Sequence, residues 1–479
     1  MSNAPKTQKK MGLFTTITVG VGLVLGSSVF LAIGQGTSLG GPWYTVSLGI
    51  AALIFVAICL CYAELHDMMP GAEGGLGQYT LVAFGPATSI AANVGGYCIY
   101  PSIICAVELL MCAKCVNLLF LPNVPSLVIC IAFYVVLGGV NLLGVDIFAA
   151  FQKVLVAVLM ITLVGMGVVG ALGIAPNADA LTIPAQTPEL FGASGVVALM
   201  SSAIYMFYSI EYIVACARDM KNPKRDVRLA MIFSCIILWA VYSLVSIGLY
   251  RYLDLNTLSV EELPNVLFAT TLFGPFGRFW MGIATIFAGA SSVNTIMRAV
   301  PNIFFKMGQD KMMPKAFSKT NRYNAPSFAI LFTMILMIAM CILTNYINLP
   351  TAQSVATIFA IFLYALIALA VLVLRKRYPH ANRNKKWMLL SIPQLLAVVS
   401  IIYMMLHVTT DAQVAMRIGL AFLIVAAICL ACAIIWCVKV MHVKPFHAAS
   451  IDAYTAEPDY LIEAKKEETR RSAVPQSEA

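Results

Sequence analysis

Charge is scarce in this chain. Of its 479 residues only 11% are Asp, Glu, Lys or Arg, while 60% are hydrophobic; a soluble domain carries roughly 25% charged residues. With a mean hydropathy of +0.87, a soluble enzyme on a single anchor is excluded, and an all-α polytopic membrane protein is expected. Metal-ligand spacing is also missing. The 13 cysteines are scattered through apolar segments. Cys112 with Cys115 and Cys429 with Cys432 have CxxC spacing, but neither pair has a second pair or histidines beside it, so they read as small buried hydrophobes. His66, His380, His407, His442 and His447 show no ligand spacing within a span. No nucleophile–base set lies in the apolar segments, so no catalytic residue, metal or cofactor is expected. The net charge of +9 would point to nucleic acid only if the basic residues formed one patch. They are dispersed over alternate loops instead. No cleavable signal is expected ahead of the first apolar run, whose flank Lys9-Lys10 fits a retained start-transfer helix.

What is present is a series of apolar runs. Spans are expected near 12–34, 42–65, 89–119, 126–144, 149–173, 191–216, 229–250, 276–304, 327–346, 351–375, 388–408 and 415–440. Each is long enough for the roughly 20 residues a bilayer crossing takes; the third and eighth are long and are expected to tilt or extend into the cytoplasm. An even number of spans puts both termini on one side. Apart from Lys114, Arg251, Arg278 and Arg417, every Lys and Arg falls in the tails, loops or span ends of that side. By the positive-inside rule both termini are cytoplasmic, in a plasma (inner) membrane. Trp43 and Trp280, near span ends, read as interface anchors. The loop Glu64–Phe84 breaks the charge rule with Glu64, Asp67 and Glu73 and no cation; its glycine-rich run 71–77 reads as a folded gate or re-entrant turn, or a plain loop. Residues 1–11 form a short N-tail, and residues 441–479, without apolar periodicity, are expected to be a disordered C-tail.

Two spans carry helix-breaking residues at their centres. The first reads VGVGLVLGSSVF over 19–30, and the sixth reads LMSSAIYMFYSIEY over 199–212 and contains Glu211. Glycine and serine loosen a helix, and loosened backbone survives in a membrane only where protein or water satisfies it. Interrupted helices at corresponding places in two halves point to a transport site; close packing through small residues is the competing reading.

Four motifs resemble those of amino acid–polyamine–organocation (APC) permeases. They are GLVLGSSVF in the first span, CYAEL followed by PGAEGG after the second, FYSIE with KNPKRD after the sixth, and MGQDKMMP with Ala325-Pro326 after the eighth. The match covers roughly residues 12–375. The chain departs from the pattern at Ser28 and Ser209, where glycine is usual, at Arg228, where proline is common, and at Pro301, which interrupts the eighth span.

The resemblance implies a leucine-transporter-like fold: spans one to five (residues 12–173) and six to ten (191–375) as inverted repeats, with two appended helices (388–440), working by alternating access. It implies that Gly26, Ser27 and Ser28 donate to a substrate carboxylate, that the carbonyls of Val24, Tyr205 and Tyr208 face its ammonium, that Ser209 borders the site, and that Tyr205 gates it. Glu211, an intramembrane carboxylate, would couple gating to protonation or hold the unwound segment. Glu108 lies mid-span in the third helix, which by the same alignment lines the side-chain pocket. It could pair with a distal ammonium or guanidinium or carry a proton; a pair with Lys114, six residues on, does not share a helix face. Many relatives have a lysine seven residues after a glutamine like Gln152; here Leu159 stands there, and Lys153 sits at the span's start and is no substitute. The cavity is therefore expected to be acidic and to have no sodium site, although the stretch 288–294 offers hydroxyls.

The expected function is a secondary transporter (permease or antiporter) for amino acids, leaning to cationic amino acids or their amines. A neutral amino acid exchanger, a proton-coupled symporter and a transporter-like receptor without flux are the alternatives. Its partners are the small-molecule substrate and the lipid bilayer, with no nucleic acid, and it is a monomer or homodimer.

Overall fold

The computed structural model describes residues 11–72, 76–143, 147–175, 186–347, 349–387, 391–409 and 411–456. Among these the structure is helical, with one isolated β-bridge between Met11 and Met220. Seven helices are long and apolar enough to cross a membrane: Trp43–Met68, Pro86–Leu119, Pro223–Tyr252, Pro264–Gln309, Ser327–Thr344, Leu349–Arg377 and Ala412–Met441. Two more crossings are bent pairs. Leu13–Val24 and Ser27–Gly40 meet at 68°, and Gly192–Ala198 and Met200–Val214 at 47°. Three shorter apolar helices, Ser126–Leu142, Val156–Leu172 and Ile392–Leu406, complete the twelve segments expected from the sequence. Large apolar side chains such as Leu53, Ile161, Val399 and Leu423 are exposed along these helices, as lipid-facing surfaces require.

Local chemistry explains the breaks. At the first, Leu25 (φ −71°, ψ 84°) and Gly26 (φ −110°, ψ 173°) leave the helical region, and a new helix starts at Ser27. The sixth crossing ends its α-helix at Tyr205, turns through 206–209 with Ser209 left-handed at φ 79°, and continues as a 3-10 helix, Ile210–Asp219. Gly274 (φ 61°) and Pro275 kink the 46-residue segment Pro264–Gln309, so its second part matches the expected eighth span.

Two groups of helices are visible in the packing. Pro223–Tyr252 packs on Trp43–Met68 and on Leu13–Val24, whereas Tyr100–Leu119 packs on Pro264–Gln309, Ser327–Thr344 and Ser126–Leu142. The loop between the groups folds into a short helix, Leu76–Phe84; Glu73 lies outside the described residues. Among the described residues, the acidic side chains that break the charge rule, Glu64 and Asp67, are paired. Glu64 accepts from Arg375 (2.6 Å) and lies 3.4 Å from Arg383, and Asp67 accepts from Arg228 (2.5 Å). One part of the sequence reading needs correction. Of the expected disordered tail 441–479, residues 443–456 fold back on Gly71, Leu81 and Ala87 through main-chain hydrogen bonds, which apolar periodicity does not reveal, and residues 457–479 lie outside the described residues.

Candidate functional site

The two breaks face each other. At the first, the helix Ser27–Gly40 presents its N-terminus, where main-chain N–H groups lack intrahelical partners and the helix dipole is positive. The group on that terminus is the carboxylate of Glu108. Its Oε2 accepts from the Ser27 amide and the Ser27 hydroxyl, both at 2.5 Å, and its Oε1 accepts from the Ser28 hydroxyl at 2.5 Å. The Ser27 hydroxyl also lies 3.1 Å from the Glu108 carbonyl. A Cβ on Gly26 would stand 2.2 Å from Glu108 Oε1; only glycine lets the backbone come this close. Glu108 is 2% exposed and Ser27 fully buried, so the contact is sealed from water.

The donors assigned by resemblance to a substrate carboxylate thus hold a carboxylate of the chain itself. Charge-assisted bonds of this kind are roughly twice as strong as neutral ones. Further groups close round the pair. The Tyr205 hydroxyl donates to Ser28 Oγ at 2.8 Å, and the Gln353 amide donates to the Ser28 carbonyl at 2.8 Å. Val24 contributes its carbonyl to the Gly26 N–H (2.8 Å), and the Tyr205 carbonyl accepts from the Tyr208 N–H (3.2 Å). Each keeps a second lone pair.

An aromatic cluster joins this centre to Glu211. The Tyr208 ring packs against Tyr205 (5.5 Å), Tyr100 (5.9 Å), Tyr364 (5.4 Å) and Phe55 (6.3 Å). The Tyr364 hydroxyl donates to Glu211 Oε1 at 3.0 Å. Glu211, 1% exposed, leaves Oε2 without a hydrogen-bond partner. Among the expected residues, Val24, Gly26, Ser27, Ser28, Glu108 and Tyr205 meet directly; Tyr208, Ser209 and Glu211 adjoin them through the ring cluster and the turn. Lys114 pairs with Glu262 at the far end of its helix and takes no part. Leu159 is buried, while the side chains of Gln152 and Lys153 lie outside the described residues.

Sequence reasoning missed Gln353, Tyr364, Tyr100 and Phe55. Gln353 carried a signal, a polar side chain in an apolar run; buried aromatic rings carry none. Among the described residues no group of three or more His, Cys, Asp or Glu could hold a metal ion.

Comparison with known proteins agrees with this architecture. The amino acid permease family profile matches residues 11–428. The chain is 26% identical over 392 residues to a vacuolar cationic amino acid transporter of Arabidopsis thaliana, covering 77% of this chain but only 63% of that relative's length. It is 24% identical to a branched-chain amino acid permease of Bacillus subtilis (80% and 85% covered) and 24% identical to a serine/threonine exchanger of the same organism (77% and 84%). The broken-helix bundle is that of the leucine-transporter-like fold, and the chain belongs to the amino acid permease family, within the APC superfamily of membrane transporters.

Proposed function

We propose that this protein is a secondary active transporter that moves amino acids by alternating access, with a preference for cationic amino acids or their amines. The observation that carries the reading is the Glu108 carboxylate on Ser27 and Ser28, at the N-terminus of the second half-helix. A cationic group entering between the broken helices meets an anion already held in place. With leucine at 159 no fixed ammonium from that position neutralises it. A neutral side chain would leave the charge of Glu108 with only the Ser27 and Ser28 donors to offset its desolvation, without the counter-charge that a cationic side chain supplies. A substrate carboxylate competes with Glu108 for the same three donors, so binding and release of an amino acid are tied to movement of Glu108. The similarity to a relative named as a cationic amino acid transporter supports the same direction.

Glu211 sits on the other broken helix and accepts a hydrogen bond from Tyr364 of Leu349–Arg377, so a change in its charge or hydrogen bonding alters the unwound segment; Tyr205 closes over Ser28. The positive-inside pattern supports placing the end of the bundle that carries Glu64, Asp67 and residues 443–456 in the cytoplasm. A second reading, proton-coupled transport of neutral amino acids, draws on the same contact: protonation of Glu108 removes its charge and frees the cradle for a substrate carboxylate. Isotope uptake into proteoliposomes against a panel of arginine, ornithine, putrescine, leucine and serine tests both. Preferential exchange of the cationic compounds is expected. Uptake of neutral amino acids driven by a proton gradient favours the second reading, and binding without flux marks a receptor.

A further inference from the structure

The segment after the last long helix makes contacts that nothing in the transport reading uses. The chain reverses at His442 (φ 55°) directly after Ala412–Met441 and runs back across the loop that joins Trp43–Met68 to Pro86–Leu119. Three main-chain hydrogen bonds fix it there. The Ala87 N–H donates to the Pro445 carbonyl (2.9 Å), the Ala449 N–H to Leu81 (3.3 Å), and the Gly71 N–H to Tyr454 (3.0 Å). Two glycines make room. A Cβ on Gly71 would lie 2.9 Å from the Ala456 carbonyl oxygen, and one on Gly85, left-handed at φ 92°, would lie 2.8 Å from Phe446. Ile451 is 4% exposed, the anchor of a segment that is otherwise largely open. Burial and the Asp310 carboxylate, at the end of Pro264–Gln309, hold the Tyr454 phenol above its ordinary value.

These contacts fall on both sides of a division in the packing. Trp43–Met68 belongs with Leu13–Val24 and Pro223–Tyr252, while Pro86–Leu119 and Pro264–Gln309 form the second group. Gly71 follows the first group directly, and Ala87 and Asp310 belong to the second. At the same end of the bundle Glu64 pairs with Arg375 of Leu349–Arg377, and Asp67 pairs with Arg228 within the first group. We propose that residues 443–456 are an autoinhibitory strap that ties the two helix groups together through Gly71 on one side and Leu81, Gly85 and Ala87 on the other, and restrains opening of that face. The functional consequence rests on the alternating-access reading above, because only a protein whose two groups move apart has a use for the tie. A partner or a modification that lifts the strap would raise the population open on that side. The apparent affinity for substrate from that side would rise with that population.

Hydrogen exchange measured by mass spectrometry on the full-length protein in nanodiscs, without substrate, tests the strap independently of what is transported. Ile451→Asp removes the apolar anchor while keeping the chain complete. It should speed exchange in residues 76–87, where the strap lies, and also in 60–68 and 224–231, around the Glu64 and Asp67 pairs, by about three- to tenfold, the signature of sub-global opening. A chain truncated after Met441 should give the same pattern, and Ile451→Val should restore slow exchange. Faster exchange confined to 76–87 in both loosened variants would overturn the proposal and leave a packing contact only. Failure of every compound in the uptake panel would instead overturn the transport reading and leave these exchange rates unaffected.

Discussion

Replacing Gly26 with alanine is a narrow perturbation of the site. The backbone at Gly26 is extended, φ −110° and ψ 173°, a conformation any residue adopts, so alanine brings no backbone strain. Its effect comes from the new Cβ, which would lie 2.2 Å from Glu108 Oε1, 2.8 Å from its carboxyl carbon and 2.9 Å from Oε2. Contact distance is about 3.5 Å, so the carboxylate must retreat by roughly 1 Å. Its three bonds of 2.5 Å to Ser27 and Ser28 are then stretched or broken. Overpacking of this size costs about 1–3 kcal/mol, read as a lower melting temperature of the purified protein, and substrate exchange in proteoliposomes should fall at least tenfold. The cycle with Glu108→Ala separates this mechanism from general damage. Once the carboxylate is removed, Gly26→Ala should cost less than about 0.5 kcal/mol, because residues that share a contact are not additive. Equal costs in both backgrounds would refute the argument that Gly26 is there to admit Glu108.

Three further outcomes are expected. Ser28→Leu removes one donor to Glu108 and the acceptor of the Tyr205 hydroxyl, so exchange should be lost while membrane insertion and monodispersity survive; normal exchange would mean that the small residues serve only helix packing. Ser209→Gly relieves a left-handed serine and should stabilise the protein by about 1 kcal/mol, measured by thermal unfolding in detergent. Exchange should persist when sodium is replaced by choline or potassium, and a steep sodium requirement in the same liposomes would overturn the expectation that no sodium site exists.

Much of the scaffold was legible because bilayer length and hydropathy constrain every span. The breaks were legible because Gly26, Ser27 and Ser28 stand where an unbroken helix would carry apolar residues. Two departures from the resembled pattern gain a physical account in the structure: Ser28 gives its hydroxyl to Glu108, and Arg228 pairs with Asp67. Ser209 stands at a left-handed position, which accounts for the usual glycine and not for serine. Pro301 lies within Pro264–Gln309 without ending it, and nothing in the structure explains its choice. The destination of Glu108 was not legible. Its position marked it as functional, but its contact with Ser27 joins segments 81 residues apart, and no local pattern encodes that meeting. The pairing of Glu64 with Arg375 crosses 311 residues, which is why an acidic loop looked anomalous in a charge count. The docked segment 443–456 was missed because it is held by main-chain bonds and a single buried isoleucine.

The central claim is that the carboxylate of Glu108, seated on the half-helix N-terminus, selects the charge of what is carried. Glu108→Gln keeps the side chain's size and removes its charge. Competition of ornithine and leucine for exchange in proteoliposomes, wild type against Glu108→Gln, measures that selection directly. The account predicts that ornithine loses at least tenfold in apparent affinity while leucine changes little or improves, which is about 1.4 kcal/mol of charge selection. Unchanged affinity for both would contradict it, and loss of pH dependence with preference unaltered would assign Glu108 to a coupling proton instead.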